Sequence, residues 1–262
     1  SPYLSRTPSG ASNQKTWTWS SWVKRSNLSA YQNFFDAHTD NNNRLYLAFN
    51  ASDKLEIYGT NSASNILVLS TTAVYRDVGA WYHIVFQLDT TQAVAANRAR
   101  LYVNGEQVTV FDTATYPAQD TDLHVNSTVP HRISSYAGGS NYYDGYLAEV
   151  HFIDGTALTP ASFGETDADT NQWKPIEATG LTYGTNGFYQ KYSATELAAS
   201  FTDSSEMEQT FVPTETLSCD VLLVAGGGGG QDGFGGGGGG GGIWHKTGHS
   251  VTAQSYSVVV GT

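Results

Sequence analysis

Residues 100–108 read Arg-Leu-Tyr-Val-Asn-Gly-Glu-Gln-Val, and this stretch predicts a β-hairpin. Asn104 and Gly105 favour the two positive φ values that a tight two-residue turn requires. In residues 44–50, three apolar residues alternate with Tyr46 and Ala48, which predicts a strand with one core face and one semi-exposed face. Both stretches indicate antiparallel strands.

From Trp17 to Asp154, short apolar segments are separated by turn residues, which is the pattern of a β-sandwich or barrel. The predicted strands are Trp17 to Lys24, Asn33 to Ala37, Arg44 to Asn50, Lys54 to Tyr58, Asn65 to Ser70, Trp81 to Leu88, Arg98 to Asn104, Glu106 to Phe111, Arg132 to Ser135 and Tyr146 to Ile153. Helical periodicity is confined to a single turn at 159–163, with Thr159 as cap and Pro160 first. We therefore expect an all-β antiparallel sandwich over residues 1–163. Its predicted buried or partly buried residues are Trp17, Trp19, Leu47, Trp81 and Val85.

Composition excludes several classes of protein. The 262 residues carry 13 Lys+Arg against 24 Asp+Glu, a net charge of −11, so the chain lacks the basic face of a nucleic-acid binder. Cys219 is the single cysteine, which excludes an internal disulfide framework and a multi-cysteine zinc site. No apolar run is long enough for a membrane span.

Residues 164–216 follow a looser pattern that predicts an irregular connector. Six aromatic residues make this segment too apolar for disorder, so we expect it to pack on the sandwich. They are Trp173, Tyr183, Phe188, Tyr189, Tyr192 and Phe201.

Residues 217–262 begin a glycine-rich module that we expect to continue in a longer parent chain. Residues 226–242 hold 14 of the 28 glycines, between apolar strands at 221–225 and 258–260. Two interpretations fit: a flexible linker, or a polyglycine II-like bundle of threefold helices that pack closely because glycine has no Cβ. The apolar flanks favour the bundle.

Four stretches, 17–24, 79–85, 101–105 and 144–152, resemble the concanavalin A-like, laminin G-like jelly-roll family over about 150 residues. The stretches 153–160, 173–175 and 183–189 are similar to a version of that module in virion proteins of tailed phages. The glycine-rich tail from Val221 onward resembles domains of phage tail-tip adhesins and tail fibres.

These resemblances imply a non-enzymatic appendage on the virion surface, such as a tail fibre, a tail tip or a capsid-surface fibre. Its implied partners are a host cell-surface glycan, other virion proteins, and further copies of the chain, with a trimer favoured. The fold is shared by binders, enzymes and structural modules, so two alternatives stay open. One is a structural decoration module that binds only other virion proteins, and the other is a glycan depolymerase.

Sugar binding in lectin-like modules uses aromatic rings and amide groups on loops at one rim. The candidate glycan-binding residues are Tyr31, Tyr136, Asn141, Tyr142, Tyr143, Phe234, Trp244 and His245. Each aromatic residue among them also fits an ordinary packing role.

A glycoside hydrolase needs two carboxylates that face one cleft. The nearest candidates, Glu165, Asp167 and Asp169, follow a helical turn and are better explained as a solvated loop. Glu149, on the last predicted strand, lacks a partner acid on its face. We therefore expect no hydrolysis.

Calcium is an optional cofactor, because laminin G-like modules often carry a rim site of carboxylate and carbonyl oxygens. The candidate ligands are Asp36, Asp40, Asn42, Asn43 and Asp144. The alternative is that these Asn and Asp residues serve as turn formers. His245 and His249 have the spacing of a helical zinc pair, but Gly248 argues against a helix there.

Overall fold

The computed structural model describes residues 3–192, 209–211, 217–224, 243–251 and 256–258. The chain divides into two compact units, Ser1–Ser205 and Glu206–Thr262. Strands of the first unit are β1 (Leu4–Arg6), β2 (Thr16–Arg25), β3 (Gln32–Asp40), β4 (Asn43–Phe49), β5 (Lys54–Asn61), β6 (Ser64–Val74), β7 (Tyr82–Asp89), β8 (Ala99–Val103), β9 (Glu106–Gln107), β10 (Phe111–Thr115), β11 (His131–Ile133), β12 (Gly145–Asp154), β13 (Gly164–Thr166), β14 (Trp173–Pro175) and β15 (Phe188–Gln190).

The first unit is an antiparallel two-sheet jelly roll, as predicted. One sheet has seven strands in the order β1-β11-β3-β4-β5-β6-β10, and the other has six in the order β15-β12-β2-β7-β8-β9. A third, two-stranded sheet pairs β13 with β14. Within residues 3–192 the helical segments are two short 3-10 turns, Ala95–Asn97 and Pro160–Ser162.

The core lies between the two large sheets, where aromatic residues from both meet. Trp19 of β2 stacks on Phe35 of β3 with ring centroids 4.3 Å apart, and Phe35 also contacts Phe152 of β12 at 5.8 Å. Each fully buried large apolar side chain contributes about 1.5–3 kcal/mol. Trp17, Trp19, Leu47 and Val85 are buried as predicted.

Trp81 is a correction to the predicted core. Its side chain is 40% exposed, because it lies one residue before β7 begins and its ring faces Tyr146 at 6.5 Å. The pair sits at the surface rather than between the sheets.

The hairpin at Asn104 and Gly105 is confirmed, with φ values of 49° and 84°. The predicted strand from Glu106 to Phe111 is wrong. Only Glu106–Gln107 pairs with β8, and the chain then crosses to pair Phe111–Thr115 with β6 of the seven-stranded sheet. The predicted turn at 159–163 forms as Pro160–Ser162, although Thr159 makes no side-chain cap.

Residues 155–187, called the strap here, cover the outer face of the six-stranded sheet. Phe163 of the strap is buried with Val85, Tyr102 and Ile153 of that sheet. The strap then leads into β15, which pairs with β12. The segment that the sequence presents as a connector thus packs on the sandwich over residues 164–192 and supplies an edge strand.

Trp173 makes a close contact between the strap and the hairpin. A Cβ atom placed on Gly105 would lie 2.6 Å from its ring, and one on Gly164 would lie equally close. Glycine at both positions therefore lets the indole approach the backbone.

The second unit contains β16 (Gln209–Phe211), β17 (Leu217–Val224), β18 (Ile243–Val251) and β19 (Tyr256–Val258). β17 pairs with β18, and β16 pairs with β19, in both cases antiparallel. Of the predicted strands at 221–225 and 258–260, residues 221–224 lie in β17 and Val258 lies in β19, and the rest lie outside the described residues. The glycine runs of 226–242, and with them the polyglycine II prediction, lie outside the described residues. Within the described part of the chain no helix has the length and apolar character of a membrane span.

Candidate functional site

Four tyrosines gather on the outer face of the seven-stranded sheet. Because side chains alternate along a strand, Leu45 and Leu47 of β4 enter the core while Tyr46 points outward. Tyr46 pairs in register with Tyr58 of β5, so the two rings stack with centroids 5.2 Å apart and planes 21° apart. Tyr136 comes from the loop after β11 and meets Tyr46 edge-on at 5.7 Å. With Tyr31 they form what we call the tyrosine face.

Arg44 lies among these rings. Its guanidinium carbon is 5.2 Å from the centroid of Tyr58, 5.6 Å from Tyr136 and 6.0 Å from Tyr46. Nη1 donates to Asn41 Oδ1 at 2.7 Å and to the hydroxyl of Tyr136. Aromatic faces attract a cation that is held this way, so the rings and the guanidinium fix one another.

The phenol hydroxyls are held by protein acceptors. Tyr46 donates to Glu56 at 2.9 Å, Tyr58 to Asn65 at 2.6 Å and Tyr136 to Asn41 at 3.0 Å. Burial and the neighbouring Glu56 carboxylate raise the pKa of Tyr46, and the same two causes raise the pKa of Tyr31. Tyr46 and Tyr31 therefore stay neutral. A phenol oxygen that donates its proton inward keeps lone pairs that can accept a hydrogen bond.

Asp36 anchors the loop that carries Tyr136. This carboxylate on β3 is 0% exposed, accepts a hydrogen bond of 2.8 Å from the Ala137 backbone N–H, and contacts Arg132 Nη1 at 3.4 Å. Burial raises the pKa of Asp36 to about 6, although Ala137 and Arg132 both act in the opposite direction. Ala137 has a φ of 54°, so the bond to Asp36 holds the loop in a left-handed turn.

The structure brings together two of the predicted glycan-binding residues. Tyr136 stands over the sheet, and Tyr31 is 42% exposed and interacts with Glu56. Asn141 is exposed, and its carbonyl accepts a bond from the Asn33 N–H at 2.8 Å.

The other predicted glycan-binding residues are placed differently. Tyr142 packs on Tyr3 with centroids 6.4 Å apart. Tyr143 is 6% exposed and packs on Phe34 in the core, so its ring cannot meet a ligand. Trp244 and His245 lie on β18, opposite Leu223 and Leu222, and Phe234 is outside the described residues.

Sequence reasoning missed Arg44, Tyr46 and Tyr58. The signal was present, because the alternation in residues 44–50 already put Tyr46 on the face opposite the core. What was not visible was the register that sets Tyr46 beside Tyr58.

The proposed calcium ligands do not form one cluster. Asp40 accepts from the Asn42 backbone and from the Asn43 amide, as a turn-forming aspartate does. Asp36 is paired with Arg132, and Asp144 lies beside the start of β12, where its carbonyl accepts from Ser26. Within the described residues no group of three or more His, Cys, Asp or Glu side chains could hold a metal ion.

Three of the four carboxylates considered for hydrolysis, Glu165, Asp167 and Glu149, have structural partners, and Asp169 is exposed. Lys174 Nζ contacts Asp167 at 2.9 Å and Glu165 at 3.3 Å. Glu165 lies in β13 rather than in the expected loop. Glu149 sits at an irregularity of β12 with a φ of 49°, accepts from the Tyr189 hydroxyl, and lies 3.8 Å from His151 Nε2.

A buried serine–histidine contact is not an activated nucleophile. Ser20 Oγ lies 2.9 Å from His83 Nε2, but Nδ1 of His83 accepts from Trp173 Nε1 at 2.9 Å. The ring proton is therefore on Nε2, so His83 cannot accept the serine proton there.

Two antiparallel sheets packed face to face, with aromatic and polar side chains on one outer face, define a lectin-like jelly-roll sandwich. The family model of the concanavalin A-like lectin/glucanases superfamily matches residues 3–162, and the chain belongs to this superfamily. A glycine-rich domain model matches residues 202–262.

Several solved structures are similar to this chain over part of its length. Domain 4 of a GH43 extracellular arabinanase from Geobacillus stearothermophilus, solved with arabinotriose, is 18% identical with a TM-score of 0.43, over 57% of this chain and 65% of that one, which is less than two thirds of its length. A heptameric SAP-like pentraxin from Limulus polyphemus is 15% identical with a TM-score of 0.45, over 72% of this chain and 86% of that one. The enzymatically active domain of bacteriophage CBA120 tailspike protein 2 is 13% identical with a TM-score of 0.41, over 61% of this chain and 25% of that one. No match is found among curated proteins.

Proposed function

We propose that this chain is a non-enzymatic phage virion appendage whose sandwich binds a host cell-surface glycan through the tyrosine face. The observation that carries the proposal is the grouping of Tyr31, Tyr46, Tyr58 and Tyr136 around Arg44 on one sheet face. Tyrosine and arginine are the residues that proteins favour for rigid, amphipathic contact surfaces.

The geometry suits a saccharide. Ring edges and faces offer apolar area for sugar C–H groups, and phenol oxygens that already donate inward can accept from sugar hydroxyls. Asn65 on the exposed side and Asn41 near Arg44 add amide groups along the same face. Since most rings are held by neighbours, little side-chain entropy is lost on binding.

The two carboxylates near the tyrosine face, Glu56 and Asp36, are engaged by other protein groups, which argues against catalysis there. Both oxygens of Glu56 accept protein hydrogen bonds, Oε1 from Tyr46 and Oε2 from Asn50. Asp36 is buried beneath the Tyr136 loop and paired with Arg132. Neither is placed as the free acid or base that glycoside hydrolysis uses.

The virion setting is supported by the resemblance of residues 153–160, 173–175 and 183–189 to phage virion modules and by the glycine-rich domain at 202–262. In this proposal the protein lies on the virion surface, contacts other virion proteins and assembles with copies of itself as a trimer. The glycine-rich domain would then supply the fibre, and the sandwich would supply the receptor contact.

The test is binding of the full chain to surface polysaccharide purified from candidate host cells. We expect saturable binding that Tyr58→Ala weakens at least tenfold, because it removes a ring that contacts both Tyr46 and Arg44. The matched control is Tyr146→Ala, since Tyr146 is 61% exposed on the other sheet and should leave binding unchanged.

Two outcomes would overturn the proposal. Binding to virion proteins with no polysaccharide bound would favour the decoration module. Release of reducing ends from the polysaccharide, abolished by Glu56→Gln, would favour a depolymerase.

A further inference from the structure

Arg44 is a half-buried cation whose charge the protein does not neutralise. Within residues 3–192, Arg25 and Arg76 pair with Asp53, and Arg132 pairs with Asp36. Arg44 has no carboxylate within 4.0 Å there, and its hydrogen-bond partners are the neutral oxygens of Asn41 and Tyr136.

The contrast with Arg98 shows that Arg44 has unused donors. In Arg98 all three nitrogens donate to backbone carbonyls at 2.7–2.9 Å. In Arg44, Nη1 alone has partners among the described residues, and Nε is buried without one. A guanidinium that is partly removed from water without a counter-charge is costly, and an anion that arrives from outside relieves that cost.

Among the described residues, Arg44 is the cation at this end of the tyrosine face that has no carboxylate partner. Arg132 is the second cation, with Asp36 as its buried partner. Burial lowers the pKa of His38, and the charges of Arg132 and Arg44 lower it further, while Asp40 acts in the opposite direction. Glu56 lies toward the other end, where it is bound by Tyr46 and Asn50.

We infer that the saccharide bound by the tyrosine face is anionic, with a carboxylate or sulfate group at Arg44 and uncharged sugar rings extending toward Tyr31. This inference rests on the proposed glycan binding and names the class of glycan. The net charge of −11 repels polyanions in general, so binding of one requires a local positive site.

The experiment uses two matched pairs of polymers, each differing in charge alone. Polygalacturonate is compared with its methyl ester, and dextran sulfate is compared with dextran. Affinities are measured by calorimetry on the full chain at low and at physiological salt. We expect at least one anionic member to bind tenfold or more tightly than its neutral partner, and which pair shows this distinguishes carboxylate from sulfate.

Three variants locate the effect. Arg44→Gln should remove the preference for the anionic member, and Arg44→Lys should keep part of it, because lysine supplies the charge without the planar fork. The matched control is Arg100→Gln, since Arg100 lies on β8 of the other sheet, donates to Gln87 and should leave the preference intact. Circular dichroism checks that each variant is folded.

The inference is wrong if neither anionic polymer binds, if charged and neutral members bind equally, or if Arg44→Gln and Arg100→Gln act alike. The proposed function survives any of these results if the chain still binds host polysaccharide and Tyr58→Ala still weakens that binding. If the host polysaccharide does not bind and Tyr58→Ala has no effect, the proposed function itself is wrong.

Discussion

The indole N–H of Trp173 donates a 2.9 Å hydrogen bond to Nδ1 of His83, and this bond joins the strap to the centre of the six-stranded sheet. His83 is 1% exposed and stacks on Trp22, with ring centroids 4.8 Å apart, and on Trp173, at 5.9 Å. The strap is therefore attached to the sheet by one hydrogen bond that is surrounded by stacked aromatic rings.

Trp173→Phe tests this attachment. Phenylalanine keeps most of the ring packing but leaves Nδ1 of His83 buried without a donor, which should cost about 1–3 kcal/mol of unfolding free energy. Urea unfolding of the two-sheet unit measures it. The control is Trp81→Phe, whose exposed ring should change stability by less than about 0.5 kcal/mol. Equal effects in the two variants would mean that the hydrogen bond contributes nothing.

Two buried histidines should carry their ring proton on opposite nitrogens. His83 accepts at Nδ1, whereas His131 accepts from the Asn126 N–H at Nε2 and faces the Val129 carbonyl with Nδ1. Long-range ¹⁵N–¹H NMR spectra should therefore show the Nε2–H form for His83 and the Nδ1–H form for His131. The same form in both rings would contradict the hydrogen bonding described here.

These histidines also predict acid sensitivity. Burial lowers the pKa of His83 to about 3 and that of His131 to about 4, against about 6.5 in an unfolded chain. The unfolded state therefore binds protons first, so their contribution to stability is lost as the pH falls below about 6.5. The His131→Gln variant should therefore lose less unfolding free energy than the wild type between pH 7 and pH 5, as measured by urea unfolding at both pH values.

Asp36 should act in the opposite direction. Burial raises its pKa to about 6, above the value of about 3.9 for an unfolded aspartate. Its contribution is complete below pH 4 and is lost as the pH rises through 6, because only the unfolded state ionises freely in that window. Asp36→Asn keeps an acceptor for Ala137 and removes the titration, so it should gain stability relative to wild type between pH 4 and pH 7, on the order of 2 kcal/mol. If the difference in unfolding free energy between Asp36→Asn and the wild type stays constant from pH 4 to pH 7, the raised pKa of Asp36 is refuted.

Asp53 is the buried carboxylate whose loss should be most damaging. It contacts Arg25 at 3.0 Å and Arg76 at 2.9 Å, and accepts from the Ser29 N–H at 2.7 Å. Asp53→Asn leaves Arg25 buried without its counter-charge, so we expect a loss of about 3–5 kcal/mol. Asp112→Asn breaks the partly exposed pair with Lys54 and should lose no more than about 1 kcal/mol. Thermal and urea unfolding of both variants give the comparison.

The sequence predicted the sandwich well because alternation and turn chemistry are local. The Asn104-Gly105 turn and the core face of residues 44–50 depend on neighbouring residues alone. Trp81 was misplaced because pattern gives the type of an element better than its first residue.

The candidate site was only half predictable for a physical reason. Tyr136 and Tyr143 are similar neighbours in sequence, yet one stands over the sheet and the other is in the core. The path of their loop is set by the bond from Ala137 to Asp36, which are 101 residues apart. Such a contact leaves no local signal in the sequence.

The placement of β15 has a consequence for synthesis on the ribosome. This strand completes the six-stranded sheet, and Asn186, just before it, bonds to the carbonyl of Gly10, 176 residues earlier. Translation proceeds from the N-terminus at about 5–20 residues per second, so β12 waits about 2–7 seconds for β15, and the opening segment waits about 10–35 seconds for Asn186. Folding dominated by such distant pairings is slow, and unpaired strand edges aggregate. A nascent chain that stalls before residue 188 would therefore leave the outer edge of β12 at Val150, His151 and Phe152 unpaired and open to other nascent chains.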